Sequence, residues 1–195
     1  MGSSTFIRWA GLAAMVGSIL WALWTIGSNF VGYGEPGTPA YEIYELYNRL
    51  LPLALLPVMV GFLGLHAAQR SSYGRLGKAG FITALVGLGL AVAGSVGEFW
   101  VFTMQPYGVA NGRDASWTIY LLGHLVLAIG SVLFGIATVR AKIVARKTAM
   151  MFALLGGFAV VPFFGALIFA IPFTWLGYML WSGKGEPVLQ QKRVH

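Results

Sequence analysis

The sequence predicts an all-α, polytopic transmembrane helical bundle. Of its 195 residues 57% are hydrophobic and only 10% are charged, and the mean hydropathy is +0.75. Several windows of the length a helix needs to cross a hydrocarbon core of about 30 Å, roughly 20 residues at 1.5 Å rise each, run without an internal charge. An ordinary soluble domain is excluded on composition alone.

The first window, 6–32, has a single Arg8 ahead of its apolar run and carries no small-x-small cleavage pattern after it, so it reads as a retained helix rather than a removed signal. Next comes Thr38-Pro39-Ala40-Tyr41-Glu42, where Thr38 is placed to cap a helix and Pro39 to occupy its first position. This predicts an outer interfacial helix over 38–49, with Glu45 and Arg49 paired at i,i+4 and the tyrosines in the headgroup zone. Windows 50–68, 80–102 and 117–139 are further spans. The run from about 149 to 181 would reach roughly 50 Å as one helix, too long for one straight crossing. Pro162 divides it into 147–161 and 162–181.

The N-terminal segment, the 69–79 loop and the 140–147 loop hold Arg8, Arg70, Arg75, Lys78, Arg140, Lys142, Arg146 and Lys147, and no acidic residue. The opposite pole carries Glu35, Glu42, Glu45 and Asp114 against Arg49 and Arg113. The positive-inside rule then makes the N-terminus cytoplasmic. Lys184, Lys192 and Arg193 in a 183–195 tail join the basic pole only if the number of spans is even, which favours six over five. A competing reading comes from Leu63-Gly64-Leu65 with Gln69, Arg75 and Phe81, which align at a constant offset with Phe134-Gly135-Ile136, Arg140, Arg146 and Phe152. Two parallel hairpins of this kind would carry a full-length fifth helix ending near Thr174.

The expected setting is the cell membrane, with the basic loops on anionic lipid headgroups at the cytoplasmic face. That placement accounts for the net charge of +7 without nucleic acid. Absence of cysteine excludes thiol catalysis, iron–sulfur ligation and disulfides. No glycine-rich nucleotide loop, Gly-x-Ser-x-Gly turn or converging set of metal ligands is present. His66 and His124 fall near opposite faces of the bilayer, so they cannot share one haem; His124 remains a candidate single axial ligand for haem or a pigment. The sequence requires no cofactor, and an enzyme is disfavoured.

Glu98 is the acidic residue that falls inside a long apolar stretch, where a carboxylate must be neutral, paired or hydrated. Gly87, Ala91, Gly94, Ser95 and Glu98 form one small face of the third span. Tyr120, His124, Ala128, Ser131 and Gly135 form a matching face on the fourth, so a Glu98–His124 or Glu98–Tyr120 hydrogen bond is predicted. Counted along the helices, Asn29 reaches the same layer, with Tyr47 and Asn48 beside it. His66 reads as a headgroup contact near the cytoplasmic interface, and the remaining Tyr and Trp as an aromatic belt. Two functions fit. One is a pocket in the outer leaflet, lined by Asn29, Glu98, Tyr120 and His124, that binds or transports a small ligand, cation or proton. The other is a structural or accessory subunit that packs against other membrane subunits or copies of itself.

Overall fold

In the computed structural model, residues 3–32, 34–103, 111–142, 144–161 and 164–183 are described. All regular structure among them is helical. Helix α1 is Ser3–Ser28, α2 Pro39–Asn48, α3 Leu51–Gln69 and α4 Gly74–Val96, which continues as a π-helical turn over Gly97–Val101. Helix α5 is Gly112–Ala141, α6 is Arg146–Leu155 with a 3-10 extension over Gly156–Val160, and α7 is Gly165–Trp181. Four helical stretches, Ser4–Ser28, Pro39–Gln69, Gly74–Val101 and Gly112–Ala141, are long and apolar enough to cross a membrane.

The helices form a closed ring in the order α1, α3, α4, α5, α6 with its 3-10 extension, α7 and back to α1. Neighbours run antiparallel. Gly64 faces Ala10 while Gly17 faces Val58, and Gly80 faces Phe134 while Gly94 faces Tyr120. Gly135 faces Ala153 while Gly156 faces Ser131. The start of α1 and the end of α7 therefore share one end of the molecule, where the Arg8 Nε donates to the Trp181 carbonyl oxygen at 3.1 Å.

Each ring member sends an aromatic side chain to the axis: Trp21, Phe62, Phe81, Phe134, Phe152, and the pair Phe169 and Phe173. Phe62 stands 4.8 Å from Phe173 and 5.9 Å from Phe134, ring centre to ring centre. The centre is thus packed solid by rings rather than open as a pore. The polarity of the molecule is reversed relative to a soluble bundle. Leu23, Leu53, Val86, Leu122 and Ile129 are exposed, whereas Ser18, Thr25, Gln69, Ser95, Glu98, His124, Ser131 and Thr138 are buried. An apolar exterior over long helices is what lipid as solvent requires. Hydroxyl and amide clasps hold the helices from within: Ser18 to Thr174 at 2.7 Å and Gln69 Nε2 to Thr138 Oγ1 at 3.0 Å.

Several expectations change. The 69–79 loop shrinks to a turn, because α4 begins at Gly74, whose φ of +65° suits glycine. Arg75 and Lys78 become first-turn residues of α4. A full-length fifth helix is ruled out: Val161 is extended, with φ −87° and ψ 104°, and α7 starts afresh at Gly165. Pro162 and the 184–195 tail lie outside the described residues, as does the middle of the loop between α4 and α5. The described cations at the basic end, from Arg8 to Lys147, are all exposed, and no described carboxylate lies at that end.

Candidate functional site: a buried charged layer under helix α2

Helix α2 begins as the sequence indicates. Thr38 is the N-cap, its hydroxyl accepting from the Tyr41 N–H at 3.3 Å, and Pro39 occupies the first turn. One face of the helix turns into the molecule, while Ile43 and Leu46 on the other are exposed. Tyr41, Glu45 and Asn48 are buried. Tyr41 thus leaves the aromatic belt assigned to it, while Trp100, Trp175 and Trp181 are exposed as a belt requires. The predicted Glu45–Arg49 pair is not formed. Glu45 Oε1 instead pairs with Arg113 at 2.5 Å, both side chains nearly inaccessible.

Arg113 reaches this position because the chain is already helical there. Asn111 has an extended N-cap conformation, and its Oδ1 accepts from the N–H groups of Arg113 and Asp114 at 2.9 and 3.1 Å. Arg113 and Asp114 therefore belong to the first turn of α5, not to a loop. From there Arg113 lies over the rings of Tyr41 and Phe99 and donates to the Tyr41 hydroxyl. Thr103 Oγ1 donates to Glu45 Oε2 at 3.1 Å, while Arg49 donates to Thr103 Oγ1 at 3.2 Å and to the Phe99 carbonyl at 2.9 Å. Helix α2 is thereby tied to the π-helical turn of α4 and to the start of α5. On its other side the Tyr47 hydroxyl donates to the Trp24 carbonyl of α1 at 2.9 Å.

Beneath α2 lie the residues the sequence singled out. Glu98 is 1% exposed, Tyr120 4% and His124 2%. Glu98 sits in the π-helical turn, which is closed by the Phe102 N–H donating to the Gly97 carbonyl five residues back at 2.8 Å. Such turns recur at functional sites because they re-aim side chains without ending the helix. Tyr120 lies within electrostatic range of both Glu98 and Tyr44. His124 does not bond Glu98: its Nδ1 is 2.9 Å from the carbonyl oxygen of Tyr120, one turn back on its own helix. Its ring packs against Tyr120 at 4.2 Å and Trp21 at 5.7 Å.

The reason is a rotation of α5. Its seam against α4 is Tyr120, Gly123, Leu127, Gly130 and Phe134, because Gly123 and Gly130 admit the closest approach of Ala91 and Ala84. The face carrying His124, Ser131 and Gly135 turns instead toward α1 and α6. Asn29 is exposed just beyond α1 and donates to the Thr25 carbonyl at 2.7 Å, so it does not join the layer. Asn48 is buried and donates to the Tyr44 carbonyl at 2.8 Å. His66 is not a free headgroup contact: it stacks on Phe81 at 3.9 Å, and its Nδ1 meets the Tyr73 hydroxyl. Burial raises the Tyr73 hydroxyl above its ordinary range, so it keeps its proton in this contact.

Two apolar grooves open on the apolar outer surface. One, of about 300 Å³, lies beside Leu23, Trp24, Tyr47 and Leu53, and the other, of about 340 Å³, beside Leu125, Ile129, Val132 and Val160. Neither is lined by Glu98, Tyr120 or His124. Among the described residues no group of three or more His, Asp and Glu side chains is placed to hold a metal.

No family model, no curated protein and no solved structure matches this chain.

Proposed function

We propose that the protein is a multi-pass protein of the cell membrane that binds a small cation or a proton at Glu98. The observation that carries this reading is the placement of Glu98: a carboxylate 1% exposed, on a π-helical turn, beside Tyr120 and under a buried ion pair. An acidic side chain at such depth in a helix of this kind marks a place for a proton or a small cation. The ring-filled axis favours binding over conduction.

On the same reading α6 with its 3-10 extension, about 25 Å long, and α7, about 26 Å, are the fifth and sixth crossings. The basic end is cytoplasmic and rests on anionic headgroups. Purified protein titrated with sodium, potassium and small alkylammonium ions, and across pH, is expected to show a rise in thermal stability for the ion it binds. Glu98→Gln is expected to abolish that response while folding normally. A native protein indifferent to every cation and to pH, or a response intact in Glu98→Gln, would overturn the assignment.

A further inference from the structure

Access to the Glu98 layer poses a geometric problem. Ser95, Glu98, Tyr120 and His124 are all at most 4% exposed, and the two surface grooves do not reach them. Below, toward the basic end, the aromatic core blocks passage. Two of the lateral walls are the close seams of α4 with α5 and of α1 with α3, where glycine and alanine backbones touch. At the acidic end the regular element over this layer is α2, held there by the Glu45–Arg113 pair, by the bonds of Arg49 and Thr103, and by ring contacts such as Tyr44 on Phe99.

Helix α2 is bounded on both sides by backbone features that interrupt a helix. On its N-terminal side Gly37 adopts φ +87°, a left-handed conformation that permits a sharp change of direction. On its C-terminal side only Arg49 and Leu50 separate it from α3, and Pro52 cannot donate to the Asn48 carbonyl four residues back. The Leu53 N–H takes a shorter bond to Leu50 instead. Both ends of α2 are thus points where the helical ladder is interrupted, while α3 below is anchored in the core by Leu55, Val58 and Phe62.

We propose that α2 is a hinged lid, latched by Glu45 on Arg113 and by Arg49 on Thr103 and the Phe99 carbonyl, which opens to admit small solutes to the Ser95–Glu98–Tyr120 layer. The inference builds on the reading of that layer as a site, but the lid itself can be tested without any ligand. Thr103 is the common element of the latch, because its hydroxyl accepts from Arg49 and donates to Glu45. Removing it loosens both arms without stranding a charge.

The chain has no cysteine, so a single one reports cleanly on access. Ser95→Cys, nearly isosteric, places a thiol beneath the lid, and Ser131→Cys places one at the same zero exposure in the core, on the opposite side of the α5 seam. Both are labelled with methanethiosulfonate ethylammonium in the folded protein. With the latch intact both thiols should react slowly. Adding Glu45→Gln should speed labelling of the thiol at position 95 at least tenfold, and Thr103→Ala should speed it several-fold, with the thiol at position 131 unchanged. Should Glu45→Gln fail to fold, the Thr103→Ala pair decides alone. Equal rates at position 95 with and without the latch would overturn the lid, as would equal acceleration at both positions, which would mark general loosening of the bundle. Loss of cation binding at Glu98 would leave these rates as predicted, so the two proposals fail separately.

Discussion

Arg113 is the residue on which the acidic end depends. It is fully buried, ion-paired to Glu45 and stacked between Tyr41 and Phe99. Two charges taken out of water gain little as a pair over an apolar replacement of both, but breaking one leaves the other uncompensated. Arg113→Gln is therefore expected to destabilise the fold by about 3–5 kcal/mol, and Glu45→Gln added to it should recover a large part of the loss. Denaturation in detergent micelles checks both, and a double variant no better than the single would show that the pair is not the relevant unit. Lysine is a poor substitute, since a point charge cannot bond Glu45 and lie flat on two rings together. The sequence did contain the signal for this residue. Asn111 followed by Asp114 at the third helical position marks a helix start, which puts Arg113, Ser116 and Tyr120 on one face. Reading 103–116 as a loop hid it, and hid the partner of Glu45 with it.

At the scale of elements, the α4–α5 seam was legible up to its rotation. Small residues at spacings of three and four predict two closely packed helices, and these two share the most extensive interface in the molecule. The sequence does not reveal which of two overlapping small faces on α5 forms the seam, because that is decided by where backbones meet. A side chain at Gly87 would collide with the backbone of Leu127 and Gly123, whereas Gly89 has open space beside it. Gly87→Ala is accordingly expected to lose about 1–3 kcal/mol by overpacking. Gly89→Ala on the same helix should be neutral or gain up to about 1 kcal/mol from helix propensity. Unfolding measured on the two variants side by side removes effects of detergent, and a similar loss in both would contradict the seam. The aromatic axis had no comparable signature, since phenylalanine is as frequent on lipid-facing surfaces as in membrane cores and only the ring closure of six helices gathers these particular rings.

The whole molecule divides into a basic end, an aromatic middle and a charged layer closed by α2, and topology is the property that joins them. Hydropathy and charge were enough to find the four long apolar helices and to separate the two ends, because both depend on runs of residues rather than on contacts. What they left between five crossings and six turns on the 147–181 region, where the antiparallel ring brings the end of α7 back to the start of α1. If the protein crosses the membrane six times with its basic end cytoplasmic, Ser4, Ser71 and Ser182 lie on one side and Glu35 on the other. Single cysteines at these four positions, treated with an impermeant maleimide, should react as follows. Glu35→Cys is labelled in intact cells, and Ser4→Cys, Ser71→Cys and Ser182→Cys only in inside-out vesicles. Labelling of Ser182→Cys together with Glu35→Cys would mean five crossings. It would also separate Trp181 from Arg8 by the thickness of the bilayer, so that the 3.1 Å contact between them could not form. The same four measurements therefore test the membrane topology and the closure of the ring.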